Sequence, residues 1–240
     1  MSGRKRVDGQ RAYVLHAHPY SESSLVVEAW TRDHGRLALV AKGARRPMSA
    51  LRGRLMAFQA LEMGWFGGGE VKTLARADWQ GTPAGLRGRG LLVGYYLNEL
   101  LLKLLPREDP HPRLFDAYAE ALAGLAALVP EAALLRRFEK SLLQELGYGL
   151  TLDREADTGR PVDPAATYLY VIERGPLRMV EGDEAGDAVA GRTLLDLAAG
   201  TLEDPRSLAE SRALMRRLLA HYLGGQALQS RRVFMDLQEF

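Results

Sequence analysis

The sequence predicts an α+β protein in which a small β-barrel precedes a helical region. Up to about Trp79 the chain consists of short runs of β-branched and aromatic residues separated by turn residues, and after Gly81 the apolar residues recur with helical spacing. We therefore expect a barrel domain at residues 1–80 and a helical domain at residues 81–240. Residues from about 147 to 191 are rich in Gly, Pro and Asp, which predicts an irregular insertion in the helical domain.

Five short strands account for the first domain. They are bounded by the turn sequences HPYSES and DHG, by a basic loop and by three consecutive glycines. Five strands in about 80 residues without a helical run favour a small closed barrel, and an oligonucleotide/oligosaccharide-binding (OB) barrel is the natural choice. The expected strands are Arg11–Ala17, Leu25–Thr31, Leu37–Ala41, Phe58–Trp65 and Val71–Trp79.

Capping residues mark the starts of helices in the second domain. Thr82 and Asp109 each precede a proline, which is the pattern of an N-cap followed by proline at the first helical position. Ser207, with Glu210 three residues later, has the form of a capping box. We expect a helix after each of these signals.

Apolar periodicity defines the helices themselves. Leu91–Leu105 is apolar nearly all round, which predicts a helix at the buried centre of a bundle. Gly224 and Gly225 should end the last long helix, and Tyr168–Ile172 with Leu177–Val180 would form a hairpin in the insertion. Three further helical stripes are expected: Leu114, Tyr118, Leu122 and Leu125; Leu135, Phe138, Leu142 and Leu146; and Leu214, Leu218 and Tyr222.

Composition narrows the class of protein. With 240 residues and 47% apolar side chains, the chain is long enough for one large core or two modest ones. No segment approaches the roughly 18 uninterrupted apolar residues of a membrane span, and the basic start MSGRKRVDGQ has no apolar region behind it. The chain has no cysteine, which excludes disulfides and thiolate metal sites. We expect a soluble cytoplasmic protein.

The most informative stretch is Gly35–Arg54, where a strand-like apolar run leads into a loop with cations and no acidic residue. Cations crowded on one short loop repel one another, and an anionic partner such as nucleic acid would relieve that repulsion. A merely solvated loop is the alternative, since basic runs often have no partner. The cations are Arg36, Lys42, Arg45, Arg46, Arg52 and Arg54.

Positive charge is concentrated at one end of the chain. Residues 1–80 hold 13 of the 32 Lys and Arg and 7 of the 30 Asp and Glu, a net charge of +6. The remaining residues hold 19 and 23, a net charge of −4. A nearly neutral protein with this asymmetry suits the steering of a polyanion to one face.

Three segments carry a resemblance to a known family. They are HPYSESSLVVEAWTRDHGRLALVAKGARRP near the N-terminus, ELGYGLTLDREADTG in the middle and LMRRLLAHYLGGQALQSRRVF near the end. Together they resemble the RecO family of bacterial DNA-repair and recombination mediators, over essentially the whole chain. The resemblance implies an N-terminal OB-fold, a C-terminal helical domain and a nucleoid-associated location. It also implies binding to single- and double-stranded DNA, annealing of complementary strands, and work with RecR to load RecA onto DNA covered by single-stranded-DNA-binding protein (SSB).

The sequence departs from the family at one place. Many family members carry a four-cysteine zinc site in the insertion, and its first Cys-x-x-Cys corresponds to about Glu155 and Thr158 here. We expect no metal and no cofactor, because the carboxylates of this region lack the spacing of a cation cage. These carboxylates are Asp153, Glu155, Asp157 and Asp163.

The expected DNA site combines cations for phosphates with an aromatic side chain for bases, as OB barrels do. Tyr20, in a turn, is the expected stacking residue, whereas Trp30, Phe58 and Phe66 are typical of a barrel core. Contacts of this type carry no base code, so binding should be largely independent of sequence. The predicted DNA-binding residues are Arg36, Lys42, Arg45, Arg46, Arg52, Arg54, Lys72, Arg76 and Tyr20.

Cations also cluster on two predicted helices of the otherwise acidic second domain. The resemblance implies that this domain binds the acidic, apolar-ended tail of SSB, which would require an apolar pocket with cations at its rim. Solvated helix faces are the alternative for either cluster. The candidates are Arg136, Arg137, Lys140, Arg212, Arg216 and Arg217.

Catalysis finds little support in the sequence. There is no Walker A sequence, no G-x-S-x-G and no H-E-x-x-H, and His16 and His18 have no third metal ligand nearby in sequence. We therefore do not expect an enzyme. The principal alternative function is an RNA-binding OB protein, such as an RNA chaperone or a translation-associated module, and a more remote one is a metal-dependent nuclease or phosphotransfer enzyme.

Overall fold

A computed structural model of the chain describes residues 6–81, 85–180 and 186–238, with side chains up to Val233 in the last range. The cap predicted at Thr82 and Pro83 lies outside these residues. The chain divides into two compact units, one comprising residues 1–127 and 228–240 and the other Leu128–Ala227. None of the described helices is long and apolar enough to cross a membrane.

The first unit contains the predicted barrel. Its strands are β1 (Arg6–Tyr20), β2 (Ser24–Thr31), β3 (Gly35–Ala41), β4 (Leu61–Phe66) and β5 (Val71–Trp79). They close in the order β1-β2-β3-β5-β4, with β3 and β5 parallel and the other pairs antiparallel. This is the five-stranded Greek-key barrel of the OB-fold, so the predicted fold class is confirmed.

Two predicted strand starts are wrong. β1 begins at Arg6, five residues before the expected Arg11. β4 begins at Leu61 instead of Phe58, because Phe58 has a positive φ of 66° that ends extended pairing. Its ring is buried and lies edge-on to Tyr95, with 5.0 Å between ring centroids. The close approach of Phe58 to Gly94, where an added Cβ would lie 2.9 Å from the ring, explains why that helical position is a glycine.

Helices α1 (Gly88–Leu104) and α2 (Pro112–Ala126) complete the first unit with α6 (Gln229–Gln238). Between Leu91 and Leu105 only Tyr95 is exposed, and α1 packs against the barrel strand β1 as well as against α2 and α6. Asn98 of α1 donates a hydrogen bond to the Leu15 carbonyl of β1 at 2.9 Å. Tyr118 of α2 donates to the Asn98 side chain at 2.5 Å. These buried contacts attach both helices to the barrel.

The second unit contains α3 (Glu131–Glu145), α4 (Gly191–Ala199) and α5 (Pro205–Tyr222). Between α3 and α4 lies a three-stranded sheet of order β7-β6-β8, formed by β6 (Thr167–Val171), β7 (Gly175–Arg178) and β8 (Ala188–Ala190). The predicted hairpin corresponds to β6 and β7, whereas β8 and α4 were not predicted. The buried stripe of α3 uses Leu134 in place of the expected Leu135.

Two predicted helix caps are also wrong. The second helix begins with His111 as N-cap and Pro112 at the first position, instead of Asp109 and Pro110. In α5 the N-cap is Asp204, whose carboxylate accepts a hydrogen bond from the Ser207 backbone N–H at 2.8 Å. Ser207 therefore lies inside the helix, and Glu210 binds the Ala190 backbone and the Thr193 hydroxyl instead of closing a capping box.

Candidate nucleic-acid interface

The basic loop, defined here as residues 42–60, connects β3 to β4 as a chain of turns. Backbone hydrogen bonds of 3.0–3.1 Å join Arg46 to Gly43, Ser49 to Arg46, Arg52 to Ser49 and Arg54 to Leu51. The buried side chains of Ala44 and Leu55 belong to the barrel core, and the partly buried Leu51 packs against it. Apolar residues therefore anchor the loop to the barrel, and the cations between them face solvent.

Four predicted DNA contacts lie exposed on this loop: Lys42, Arg45, Arg46 and Arg52. None of the four forms an ion pair with a residue in the described parts of the chain. Arg45 is tied to the turn between β1 and β2, because its backbone N–H donates to the Ser23 carbonyl at 2.9 Å and its guanidinium to the Ser21 carbonyl at 3.2 Å. Among the described residues, these four positive charges thus have no acidic partner, and that of Arg45 is held in place by the Ser21 carbonyl.

Arg54 and Arg76 share one carboxylate. Arg54 Nη1 lies 2.9 Å from Asp78 Oδ1, and Arg76 forms an ion pair with the other oxygen of Asp78. Both guanidiniums keep part of their surface exposed, with 42% and 70% of the side chain accessible. One acidic group offsets part of the positive charge at this end of the loop.

Arg36 and Lys72 are committed to contacts inside the first unit. Arg36 pairs with Glu28 at 3.0 Å and donates to the Leu105 carbonyl, and the side chains of Arg36 and Glu28 are only 14% and 13% exposed. Lys72 is buried, and its ammonium lies 2.5 Å from Glu108 Oε1. The sequence shows these cations but not their partners, which come from distant segments.

Exposed aromatic rings lie at both ends of the basic loop. Tyr20, the last residue of β1, is 54% exposed and adjoins the turn that binds Arg45. Trp79, the last residue of β5, is 45% exposed, and its indole N–H donates to the Arg54 carbonyl at 3.0 Å. Trp30 and Phe58 are buried, as expected of core residues. The predicted site did not include Trp79.

Three of the six cations proposed for the second unit have internal partners. Arg136 is buried and pairs with Glu139 at 2.6 Å, and Arg217 lies 2.6 Å from Asp187 and 2.7 Å from the Tyr170 carbonyl. Lys140 donates to the carbonyls of Leu197 and Ala198 at the end of α4, and burial lowers the pKa of its ammonium. Lysine at a helix C-terminus stabilises the helix, which is a structural role.

The other three, Arg137, Arg212 and Arg216, are exposed on α3 and α5. No ion pair joins them to any residue within 6–81, 85–180 or 186–238. Of the six proposed cations, these three therefore remain accessible to a partner.

A polar cluster surrounds Glu155 and Thr158, the positions where the resemblance implied the first Cys-x-x-Cys of a zinc site. Glu155 is buried and accepts hydrogen bonds from Thr158 at 2.5 Å and from the Tyr168 hydroxyl at 3.1 Å. Arg178 lies 3.7 Å from Glu155 and 3.2 Å from Asp163. Within the described residues no three His, Asp or Glu side chains converge as a metal site would require.

The closed barrel of order β1-β2-β3-β5-β4 places this chain in the class of OB-fold proteins, and four of its exposed cations lie on one loop of that barrel. Comparison with known families shows to which family within this class the chain belongs. Residues 8–82 match the family model described as "Recombination protein O N terminal", and residues 87–232 match "Recombination protein O C terminal". The chain belongs to the RecO family, as the sequence motifs indicated.

Individual relatives agree over the full length of the chain. It is 59% identical to the DNA repair protein RecO of Aromatoleum aromaticum and 56% identical to that of an Azoarcus species, with all of each chain covered. The DNA repair protein RecO of Dechloromonas aromatica is 55% identical, again over both whole chains.

Proposed function

We propose that this protein is a non-enzymatic recombination mediator in DNA repair that binds DNA through the basic loop and anneals complementary strands. The observation that carries the proposal is a set of four exposed cations on an anchored loop, none of which has an acidic partner in the part of the chain that the structure describes: Lys42, Arg45, Arg46 and Arg52. Such a surface exchanges its counterions and those of DNA for direct phosphate contacts, which favours binding without any base code.

The eight predicted cations take unequal parts in this proposal. The four exposed ones supply the main phosphate contacts, and Arg54 and Arg76 contribute less because Asp78 offsets their charge. Arg36 and Lys72 support the site from within, since their side chains are occupied by Glu28 and Glu108.

The second unit is the proposed binding site for protein partners. Annealing needs only screening of phosphate repulsion and a raised local concentration of strands, which the basic loop provides without nucleotide. Work on SSB-covered DNA requires a contact with SSB itself, and the exposed Arg137, Arg212 and Arg216 are the candidates for its acidic tail. Family membership supports the further roles with RecR and in loading RecA.

The test of the DNA site is the double variant Arg45→Glu and Arg46→Glu. Four cations on single-strand phosphates predict a slope of about −3 in a plot of log affinity against log salt, at roughly −0.7 for each phosphate neutralised. Losing two should flatten the slope to about −1.5 and weaken binding, as measured by fluorescence anisotropy with labelled oligonucleotides.

The matched control is Arg212→Glu with Arg216→Glu, which changes the net charge equally in the second unit. It should leave binding to bare DNA unchanged. Equal slopes for the wild type and the loop variant would exclude the loop as the DNA site. Tighter binding to RNA than to DNA of the same sequence would favour the RNA-binding alternative.

The same two variants test the division of labour. The loop variant should impair annealing of bare and SSB-covered strands alike, whereas the second-unit variant, alone or with Arg137→Glu, should impair only the SSB-covered reaction. If strands covered by SSB without its acidic tail are annealed as fast as strands covered by intact SSB, the proposed partner site is wrong.

A further inference from the structure

We infer that Trp79 is a base-stacking residue which, with Tyr20, makes the basic loop select single-stranded over duplex DNA. The inference rests on the proposed function, because it needs DNA at the loop. The juxtaposition that carries it is an exposed tryptophan whose indole ring is fixed against the loop at Arg54.

Trp79 is held firmly although 45% of its surface is accessible. Its backbone pairs with Leu61 of β4, and the next residue, Gln80, donates to the Ala60 carbonyl at 2.9 Å. The indole N–H is occupied by the Arg54 carbonyl at 3.0 Å. An ordered ring loses little conformational entropy on binding, so its contact with a base is worth more than that of a mobile side chain.

The topology of the barrel places both aromatic residues at the ends of the cationic surface. β3 and β5 run parallel, so their last residues, Ala41 and Trp79, point towards the same end of the barrel. The basic loop leaves β3 there, contacts the turn beside Tyr20 through Arg45, and reaches β5 through Arg54. A strand that follows the exposed cations therefore meets an aromatic ring at either end.

Phosphate binding and base stacking at this surface depend differently on whether the DNA is single-stranded or duplex. The cations bind phosphates of single strands and duplexes alike, whereas stacking requires an unpaired base whose face is accessible. Because the indole N–H is already bonded within the protein, Trp79 offers its ring surface and no hydrogen-bond donor to a base. Stacking at Trp79 should thus discriminate between strand types without reading sequence.

Intrinsic fluorescence gives a direct test, because the three tryptophans differ sharply in exposure. Trp30 and Trp65 are buried, and Trp79 is the exposed one. Titration with an oligothymidylate should quench the long-wavelength part of the wild-type emission, and Trp79→Phe should abolish most of that quenching. Absence of quenching in the wild type would overturn the inference, whatever the variants do.

Affinity supplies the second readout. Trp79→Leu should weaken binding to single strands about 5- to 150-fold, the range expected for loss of one stacked base, with the salt slope unchanged. Binding to a duplex of the same length should change less than about twofold. Trp79→Phe, which keeps an aromatic ring, should lose less than Trp79→Leu.

The outcomes separate this inference from the proposed function. If the loop variant Arg45→Glu and Arg46→Glu loses binding while Trp79→Leu binds single strands normally, the loop is the site and the stacking role is wrong. An equal loss on single strands and duplexes in Trp79→Leu would also overturn it, because that result indicates a general structural effect. Emission from buried Trp30 and Trp65 reports whether each variant is folded.

Discussion

The basic loop of the first unit and the polar cluster of the second place their charged side chains in opposite ways. In the loop, Lys42, Arg45, Arg46 and Arg52 face solvent with no acidic neighbour in sequence. In the cluster, Glu155, Thr158, Tyr168, Asp163 and Arg178 close their polar groups on one another. Charge that is paired inward holds a fold together, whereas charge left unpaired at the surface is available to a partner.

Charge density alone therefore does not identify a binding surface. Arg36 and Arg45 stand nine positions apart in one acid-free stretch, and sequence gives them the same role. Glu28 pairs with Arg36 at 3.0 Å, whereas the Arg45 guanidinium donates to the Ser21 carbonyl. The position of the partner acid decides between the two roles.

The largest effect on folding should follow from breaking the cluster at its centre. Glu155→Ala leaves Tyr168, Thr158 and Arg178 without their shared acceptor, and should lower the free energy of unfolding by about 2–3 kcal/mol. Urea unfolding followed by circular dichroism measures the change.

The control for that variant is Asp157→Ala, an exposed carboxylate in the same loop, which should alter stability by less than about 0.5 kcal/mol. DNA affinity of folded Glu155→Ala should match the wild type. Equal destabilisation by both variants would show that the cluster has no special role.

The first unit also contains a carboxylate with internal hydrogen bonds, Glu99. Glu99 of α1 accepts hydrogen bonds from the backbone N–H groups of Gln229 and Ser230 and from the Ser230 hydroxyl, at 2.6–2.9 Å. Burial acts to raise the pKa of Glu99, but these bonds and the charge of Lys103 outweigh it and hold the pKa below its ordinary value. The carboxylate thus caps the first turn of α6 from another helix.

Glu99→Gln should therefore lower the free energy of unfolding by about 1–2 kcal/mol at pH 7. Since the folded pKa is depressed, the stabilisation is present above the ordinary pKa of about 4.3 and is lost as pH falls through the folded value. The gap to the wild type should narrow below about pH 4, with exposed Glu120→Gln as control. Urea unfolding followed by tryptophan fluorescence tests this, and a gap independent of pH would contradict it.

Unlike the Glu155 and Glu99 variants, the loop variant should leave the stability of the protein almost unchanged. Arg45→Glu with Arg46→Glu removes mutual repulsion and one exposed hydrogen bond, so the free energy of unfolding should change by less than about 0.5 kcal/mol in either direction. The same unfolding measurement checks it. A loss of 2 kcal/mol or more would mean that the loop cations are structural, and the contrast with the cluster would fail.

The smallest effect is expected from chelation. The cluster at Glu155 is held by hydrogen bonds and ion pairs between side chains, so excess EDTA should change neither the melting temperature nor DNA affinity. Metal analysis of the purified protein is the complementary measurement. A stoichiometric metal, or a lower melting temperature with EDTA, would show that a metal ion stabilises this region and would contradict the prediction.

Local sequence patterns predicted the barrel well, because alternation and turn residues act over a few positions. They failed where two equivalent local signals compete. The sequence DPHP offers two prolines, and the helix begins at Pro112 after His111 instead of at Pro110. The start of β4 was misplaced for a different reason, since the conformation of Phe58 depends on packing against α1, which no nearby residue encodes.

The candidate site was predictable only in part. The cations are visible in the sequence, but Glu28, Asp78 and Glu108, which occupy several of them, lie on other segments. Trp79 was taken for an ordinary strand residue. The signal for its exposure is its position as the last residue of β5, where alternation continues but the barrel no longer covers the side chain.

The first unit contains both the N-terminal part of the chain and its last helix α6, which has a consequence for biosynthesis. Residues 128–227 are made between Ala127 and the helix that Glu99 caps. At a synthesis rate of about 5–20 residues per second, the ribosome needs roughly 5–20 s to synthesise the second unit, and only then is α6 of the barrel unit made. A premature stop anywhere in the second unit would therefore also leave the barrel unit without α6, so that a truncated product is exposed to proteolysis in both halves.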